Sequence, residues 1–229
     1  MTRLFLIRHG DTVDEETKKV YKGRTDIPLS RTGILRIHGA AAFLSAFTLD
    51  RIYTSTLSRS IDSGRIVAAS QGIDIEVAPA FDEVDFGVWE GLSFEEIRER
   101  YPEDLRLWLK DPAAYPPPEG ESFRNAQKRS MGRLKKIIAE HRGQQIAIVA
   151  HAGILRIMIF ALLDMRLHKL FRIGQGYGCI NIIDVHKDDV VVADLLNFTY
   201  YKVATEERGT SACGSGYGAP RIFPECVKS

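Results

Sequence analysis

The 229-residue sequence has little cysteine: three residues, Cys179, Cys213 and Cys226, with no Cys-x-x-Cys spacing. A disulfide framework needs more of them in even number, and zinc or dithiol redox chemistry needs paired spacing, so reduced thiols without a chemical role are expected. A surplus of charge is missing too: 31 Lys and Arg against 30 Asp and Glu leave a formal net charge of +1. Such balance gives no long-range attraction to nucleic acid or an anionic membrane. Anion binding must then come from a few local basic side chains, as it does for a small phosphorylated metabolite. No apolar run reaches membrane-spanning length, and Leu4 to Ile7 is far too short for a secretory h-region, from which a cytoplasmic location is expected. There is no Walker A pattern. Gly174-Gln-Gly-Tyr-Gly178 precedes a strand-like run instead of joining strand to helix, and Gly214-Ser-Gly-Tyr-Gly218 lies in an aperiodic stretch, so neither has a dinucleotide-binding context. No ligand set of clustered carboxylates, His or Cys stands near the motifs described next, and neither a metal nor a cofactor is expected.

What is present is an ordinary globular composition, 45% hydrophobic and 27% charged, with strand and helix patterns in alternation. Leu4 to Ile7 is an apolar run stopped by Arg8-His9-Gly10, as in a strand buried on both faces. Ser30 is a plausible N-cap for a helix carrying Ile34, Ile37, Ala41 and Leu44. A strand over 50–53 leads to a helix over 57–71 with Ile61, Ile66 and Val67 inward, then to a strand over 73–77. The stretch 81–91 is irregular and acidic. Ser93 and Glu96 form a capping-box pattern before a short helix to Arg100. Pro112, Pro116, Pro117 and Pro118 mark a loop before a long helix, Ser122 to His141. Gln145 to Ala150 is the most strand-like run and ends at His151-Ala-Gly153; a helix follows to about Leu163. Two further runs, 178–185 and 190–196, read as a hairpin turning at Lys187-Asp188. This order predicts an α/β fold of three layers, a mostly parallel central sheet with helices on both faces. Residues 1–200 form one domain on this reading, and 201–229 a tail containing Gly, Ser and Thr. The assembly expected is a monomer or homodimer.

Ligands collect at the carboxyl ends of parallel strands, where His9 and His151 both fall. Beside them, Tyr53-Thr-Ser-Thr-Leu-Ser-Arg59 opens a strand into a helix with hydroxyls and a guanidinium in its first turn, a combination suited to phosphate. Phe81 to Gly91 carries Glu83 near Phe86 and Trp89. Taken in order, Arg8-His9-Gly10-Asp11-Thr12, Gly23-Arg-Thr-Asp-Ile-Pro-Leu-Ser-Arg-Thr-Gly33, Tyr53 to Arg59, Glu83 to Gly91, Gly120-Glu-Ser122 and Val149-Ala-His-Ala-Gly153 resemble the histidine phosphatase superfamily, of phosphoglycerate mutase-like fold, over residues 3 to 200. The resemblance implies that His9 is a nucleophile that becomes phosphorylated. It implies further that Arg8, Arg59 and His151 bind the phosphoryl group and that Glu83 is the proton donor. Gly10, Lys22 and Gly23 fall at substrate-binding positions. Ala152 and Lys22 depart from the common pattern, and Lys22 bears on which substrate fits.

Two guanidiniums and an imidazole around a transferred phosphoryl group would stabilise the charge on its oxygens without a metal. Hydrolysis of a small phosphomonoester is therefore expected, in the branch resembling α-ribazole-5′-phosphate phosphatase and fructose-2,6-bisphosphatase. A phosphoglycerate mutase is the alternative within enzymes; Asp11-Thr-Val-Asp-Glu15 differs from the Glu-Ser-x-Trp-Asn that resembles mutases. An inactive phospho-ligand binding module is the alternative of another class, and it would need neither His9 nor Glu83.

Overall fold

The computed structural model describes residues 1–16, 20–188 and 190–200; the expected tail, 201–229, and Asp189 lie outside the described residues. Strands β1 (Thr2–Arg8), β2 (Arg51–Thr54), β3 (Ile75–Val77), β4 (Gln145–Ala150), β5 (Ile180–Val185) and β6 (Val191–Phe198) form one sheet in the order β3-β2-β4-β1-β5-β6. The β3-β2, β2-β4 and β4-β1 pairings are parallel, while β5 runs antiparallel to β1 and to β6. This is the mixed, mostly parallel α/β sheet that the alternation of strand and helix patterns implied.

Among the described residues six α-helices cover the sheet: α1 (Arg31–Leu44), α2 (Ser58–Gln71), α3 (Phe94–Arg100), α4 (Pro102–Lys110), α5 (Phe123–Glu140) and α6 (Ala152–Leu162). Successive side chains of a strand point to opposite faces, and the core divides accordingly. Leu4, Leu6, Ile146, Ile148 and Ala150 pack with Ile97, Trp108, Leu134 and Ile157 from α3 to α6. Phe5, Ile7, Ala147 and Val149 pack on the other face with Ile37, Leu44 and Val67 from α1 and α2. Burying a side chain such as Leu, Ile or Phe is worth roughly 1.5–3 kcal/mol, so these runs fix which strands are central.

Helix starts follow their caps. Ser30 accepts from Gly33 N, Ser122 from Asn125 N, and Ser93 with Glu96 completes both bonds of the capping box. The helix α4 has no counterpart in the sequence-based assignment; its buried side chains are only Leu105 and Trp108, too few to register as a period. The inward face of α2 also differs from the expectation. Its buried residues include Ser60, Ser63, Gly64, Val67 and Ala68, whereas Ile61 and Ile66 are only partly buried. Small residues face the sheet because α2 lies close to it: Ser60 Oγ donates to Val149 O at 2.7 Å, and a Cβ on Gly64 would stand 2.3 Å from Thr54 Cγ2.

Gly64→Ala therefore sets two effects against each other. Helix propensity favours alanine by about 1 kcal/mol, while forcing a methyl into a packed contact costs about 1–3 kcal/mol. Net destabilisation is expected. A chemical-denaturation midpoint at or above that of the parent protein would show that Thr54 swings aside at little cost.

Candidate active site

Register builds the centre of the site. In the β1–β4 ladder Arg8 stands opposite Ala150, and in the β2–β4 ladder Thr54 stands opposite Val149. The next residues along, His9, His151 and Ser55, therefore meet at the carboxyl ends of three neighbouring strands. The two imidazole centroids are 4.9 Å apart, and Ser55 Oγ lies 2.7 Å from His151 Nε2.

His9 is 5% exposed and its Nδ1 lies 2.7 Å from the carbonyl of its neighbour Gly10. A carbonyl accepts only, so Nδ1 carries the proton and Nε2 keeps its lone pair. Arg59, on the first turn of α2, is almost wholly buried and partnered by neutral acceptors: Nη1 donates to Thr25 O at 2.7 Å, Nη2 to Gly23 O at 2.8 Å, and Nε to His151 Nδ1 at 3.3 Å. Arg8 Nη1 donates to Gln175 O at 2.6 Å, and its buried Nε has no hydrogen-bond partner. The site thus concentrates positive charge without neutralising it. Burial, followed by the charges of Arg59 and Arg8, holds His9 well below the ordinary imidazole range. His151 is lowered in the same way, by burial and then by His9, Arg59 and Arg8.

Glu83, 6% exposed, comes from the loop after β3. Its carboxylate accepts from Gly153 N at 2.9 Å, Ile154 N at 3.1 Å and Val84 N at 2.9 Å. Since α6 has no side-chain cap of its own, Glu83 supplies one from 70 residues away and lies at the positive end of that helix. The contact is close: a Cβ on Gly153 would stand 2.5 Å from Glu83 Oε1. Of the remaining expected site residues, Gly10 N donates to Ser63 Oγ at 3.2 Å, and Gly23 supplies the carbonyl already described. Lys22 Nζ is 2.9 Å from Asp14 Oδ1 and 3.1 Å from Thr12 Oγ1.

Several supporting residues escaped the sequence reading of roles. Glu90 accepts from the backbone N–H groups of Arg24 and Thr25 at 2.6 and 2.7 Å, and from the Thr25 hydroxyl. Asp82 takes Thr56 N and Oγ1 at 2.8 and 2.9 Å and pairs with Arg24 at 2.6 Å. Arg129, on α5, donates to Ala80 O, Asp82 O and Glu83 O at 2.9, 2.8 and 3.1 Å, with both oxygens of Glu121 on its other side. Glu90 and Glu121 lie inside matched motifs, which was their only signal; Arg129 sits in a basic helix and had none. Among the described residues there is no group of three or more His, Cys, Asp or Glu able to hold a metal ion, and no helix long and apolar enough to cross a membrane.

Buried imidazoles at strand ends, guanidiniums held by carbonyls and a carboxylate at a helix start form an arrangement chemically suited to a phosphate-like anion. The model of the histidine phosphatase superfamily (branch 1) matches residues 4–197, and the chain belongs to that superfamily. Its relatives include phosphoserine phosphatase 1 of Hydrogenobacter thermophilus, 30% identical over 85% of this chain and 92% of that protein. A bifunctional protein of Mycobacterium tuberculosis is 32% identical over 87% of this chain but only 55% of its own length, so the chain spans about half of that relative. The α-ribazole phosphatase from Shigella flexneri has a similar structure, with a TM-score of 0.78 and 26% identity over 89% of this chain and all of that one (100%).

The lowered imidazoles carry a pH dependence of stability. Below about pH 6.5 the unfolded chain binds protons at His9 and His151 that the native state refuses, so stability present above that pH is lost as pH falls. The slope is at most about 1.4 kcal/mol per pH unit for each imidazole. His151→Gln should therefore flatten the decline in urea-unfolding free energy between about pH 6.5 and 5. An unchanged slope would mean that His151 is protonated in the native protein.

Proposed function

We propose that the protein hydrolyses a small phosphomonoester through a phosphohistidine formed at His9 Nε2. The observation that carries this is the 2.7 Å contact of His9 Nδ1 with Gly10 O, which leaves Nε2 as a buried nucleophile among fixed cations. Nε2 attacks phosphorus as the ester P–O bond breaks, and Glu83, which enters this step as the protonated acid, hands that proton to the departing alkoxide. Water then attacks the phosphohistidine, Glu83 takes a proton from it, the N–P bond breaks, and phosphate leaves with His9 restored. Arg8, Arg59 and His151 bind the phosphoryl oxygens, whose negative charge the two guanidiniums stabilise without neutralisation by a carboxylate. Gly10 and Gly23 shape this pocket, and Lys22 acts on the side of the leaving group. The names of relatives, phosphatases of phosphoserine and of α-ribazole phosphate, support the substrate class. The reaction proceeds in the cytoplasm and without a metal, so phosphate release should survive excess EDTA. Loss of activity on chelation, restored by a divalent cation, would contradict this part of the mechanism.

The roles of His9 and Glu83 separate by step. His9→Ala removes the atom that accepts phosphorus, and turnover should fall to background. Glu83→Gln should lose roughly 10²–10⁴ in rate with an alkoxide leaving group but far less in the phosphorylation step with p-nitrophenyl phosphate. Its phosphoenzyme should accumulate and appear, by rapid-quench mass spectrometry in alkali, on the peptide containing His9. A phosphoryl group found elsewhere, or equal losses for both leaving groups without a trapped intermediate, would refute the assignment. Isomerisation of 3-phosphoglycerate without phosphate release would make the protein a mutase.

A further inference from the structure

The glycine segment 174–178, which has no dinucleotide context, lies against the catalytic centre. Gly178 N donates to His9 O at 3.1 Å, and Cys179 N to Gly176 O at 3.1 Å, so the turn is tied to the end of β1. Gly178 adopts φ +66°, a left-handed conformation that a side chain would strain. The turn delivers Tyr177 onto Arg8: the guanidinium Cζ is 3.5 Å from the centre of the Tyr177 ring. The same ring has its centroid 5.6 Å from that of His9. Tyr177 is half-buried, whereas His9 is 5% exposed, and the ring stands against one side of the imidazole.

Arg8 is thereby gripped from two directions, by the Tyr177 ring and by the Gln175 carbonyl at 2.6 Å from Nη1. Its Nε–H is buried and without an acceptor. An arginine at a strand end otherwise has many rotamers, and a catalytic donor works best when its orientation is set before the substrate arrives. A guanidinium stacked on an aromatic face is attracted by the ring and held flat.

We propose that Tyr177 is a positioning residue: with the Gln175 carbonyl it fixes the plane of Arg8 so that Nε–H faces the phosphoryl oxygens, and it shields His9 from water. What fills the pocket rests on the hydrolase reading above. The placement of Tyr177 itself does not.

The test uses three variants of the full chain and two readouts. Tyr177→Leu keeps apolar bulk but removes the aromatic face, and should lower kcat/KM for p-nitrophenyl phosphate about tenfold, with Tyr177→Phe restoring it to within about threefold of the parent. Tyr177→Ala also admits water, and should move the His9 titration, followed by NMR of its imidazole nitrogens, up towards the ordinary range. Arg8, Arg59, Lys22 and His151, the charged and titratable groups acting on His9, and the Gly10 carbonyl remain in place in every variant. Parent-like kcat/KM in Tyr177→Leu would overturn the positioning of Arg8. An unmoved His9 titration in Tyr177→Ala would overturn the shielding. If the parent protein hydrolyses no ester, the hydrolase reading fails by itself, and the positioning of Arg8 is then read from the affinity for inorganic phosphate, which Tyr177→Leu should weaken about tenfold. Should Tyr177→Ala not fold, proton exchange of the His9 Nδ1–H in Tyr177→Phe and Tyr177→Leu decides the shielding. Exchange as slow as in the parent supports it, and faster exchange with the ring or its bulk intact overturns it.

Discussion

Positive charge held in place by neutral acceptors is the constraint around which the rest of the structure is arranged. Arg59 is gripped by the carbonyls of Gly23 and Thr25, and Arg8 by that of Gln175 and a ring, so each guanidinium is fixed without losing its field. A carboxylate partner would fix it equally well but would cancel the charge that a phosphoryl group needs. The same field and burial keep both imidazoles neutral, which suits a nucleophile and disfavours any ligand that brings no negative charge. A centre of this kind destabilises the fold when empty, and binding a phosphate-like anion should offset that destabilisation.

Among the described residues no carboxylate forms an ion pair with Arg8 or Arg59; those nearby are committed elsewhere. Glu83 caps α6 through Gly153 and Ile154, Glu90 collects the N–H groups of Arg24 and Thr25, and Asp82 binds Thr56 and Arg24. Arg129 with Glu121 then holds three successive parts of the segment bearing Glu83 by their carbonyls. The irregular stretch 81–91 is thus as firmly specified as a helix, through side-chain bonds to backbone in place of a ladder. Ordered loops of this sort place functional groups accurately because each backbone polar group has a definite partner.

The two halves of the site differ in how they tolerate change. Residues on the strands are set by register: a one-residue slip of β1 against β4 would exchange the residues that the two core faces receive and turn His9 away from His151. Residues on the loops are held instead by side-chain bonds to backbone, as Glu83 is by Gly153, Ile154 and Val84. On the proposed function, substrate preference would be most readily altered around Lys22 and the loops, with the strand-end residues left in place.

The sequence by itself determined the buried strands β1 and β4, the caps at Ser30, Ser93 and Ser122, the hairpin of β5 and β6, and the identity of His9, Arg59, Glu83 and His151 as residues belonging together. These are local matters: a period of apolar residues, a hydroxyl before a helix, a motif at a strand end. Only the tertiary structure decided that Arg8 pairs in register opposite Ala150 and so sets the two imidazoles side by side. The same holds for the small-residue face of α2 turning inward, Arg129 supporting Glu83, and Tyr177 lying on Arg8. Each of these is a contact between segments far apart in the chain, made by one side chain with a backbone carbonyl, a ring or a closely packed neighbour. Such contacts leave no periodic trace in the sequence, because either partner alone looks like an ordinary surface or loop residue.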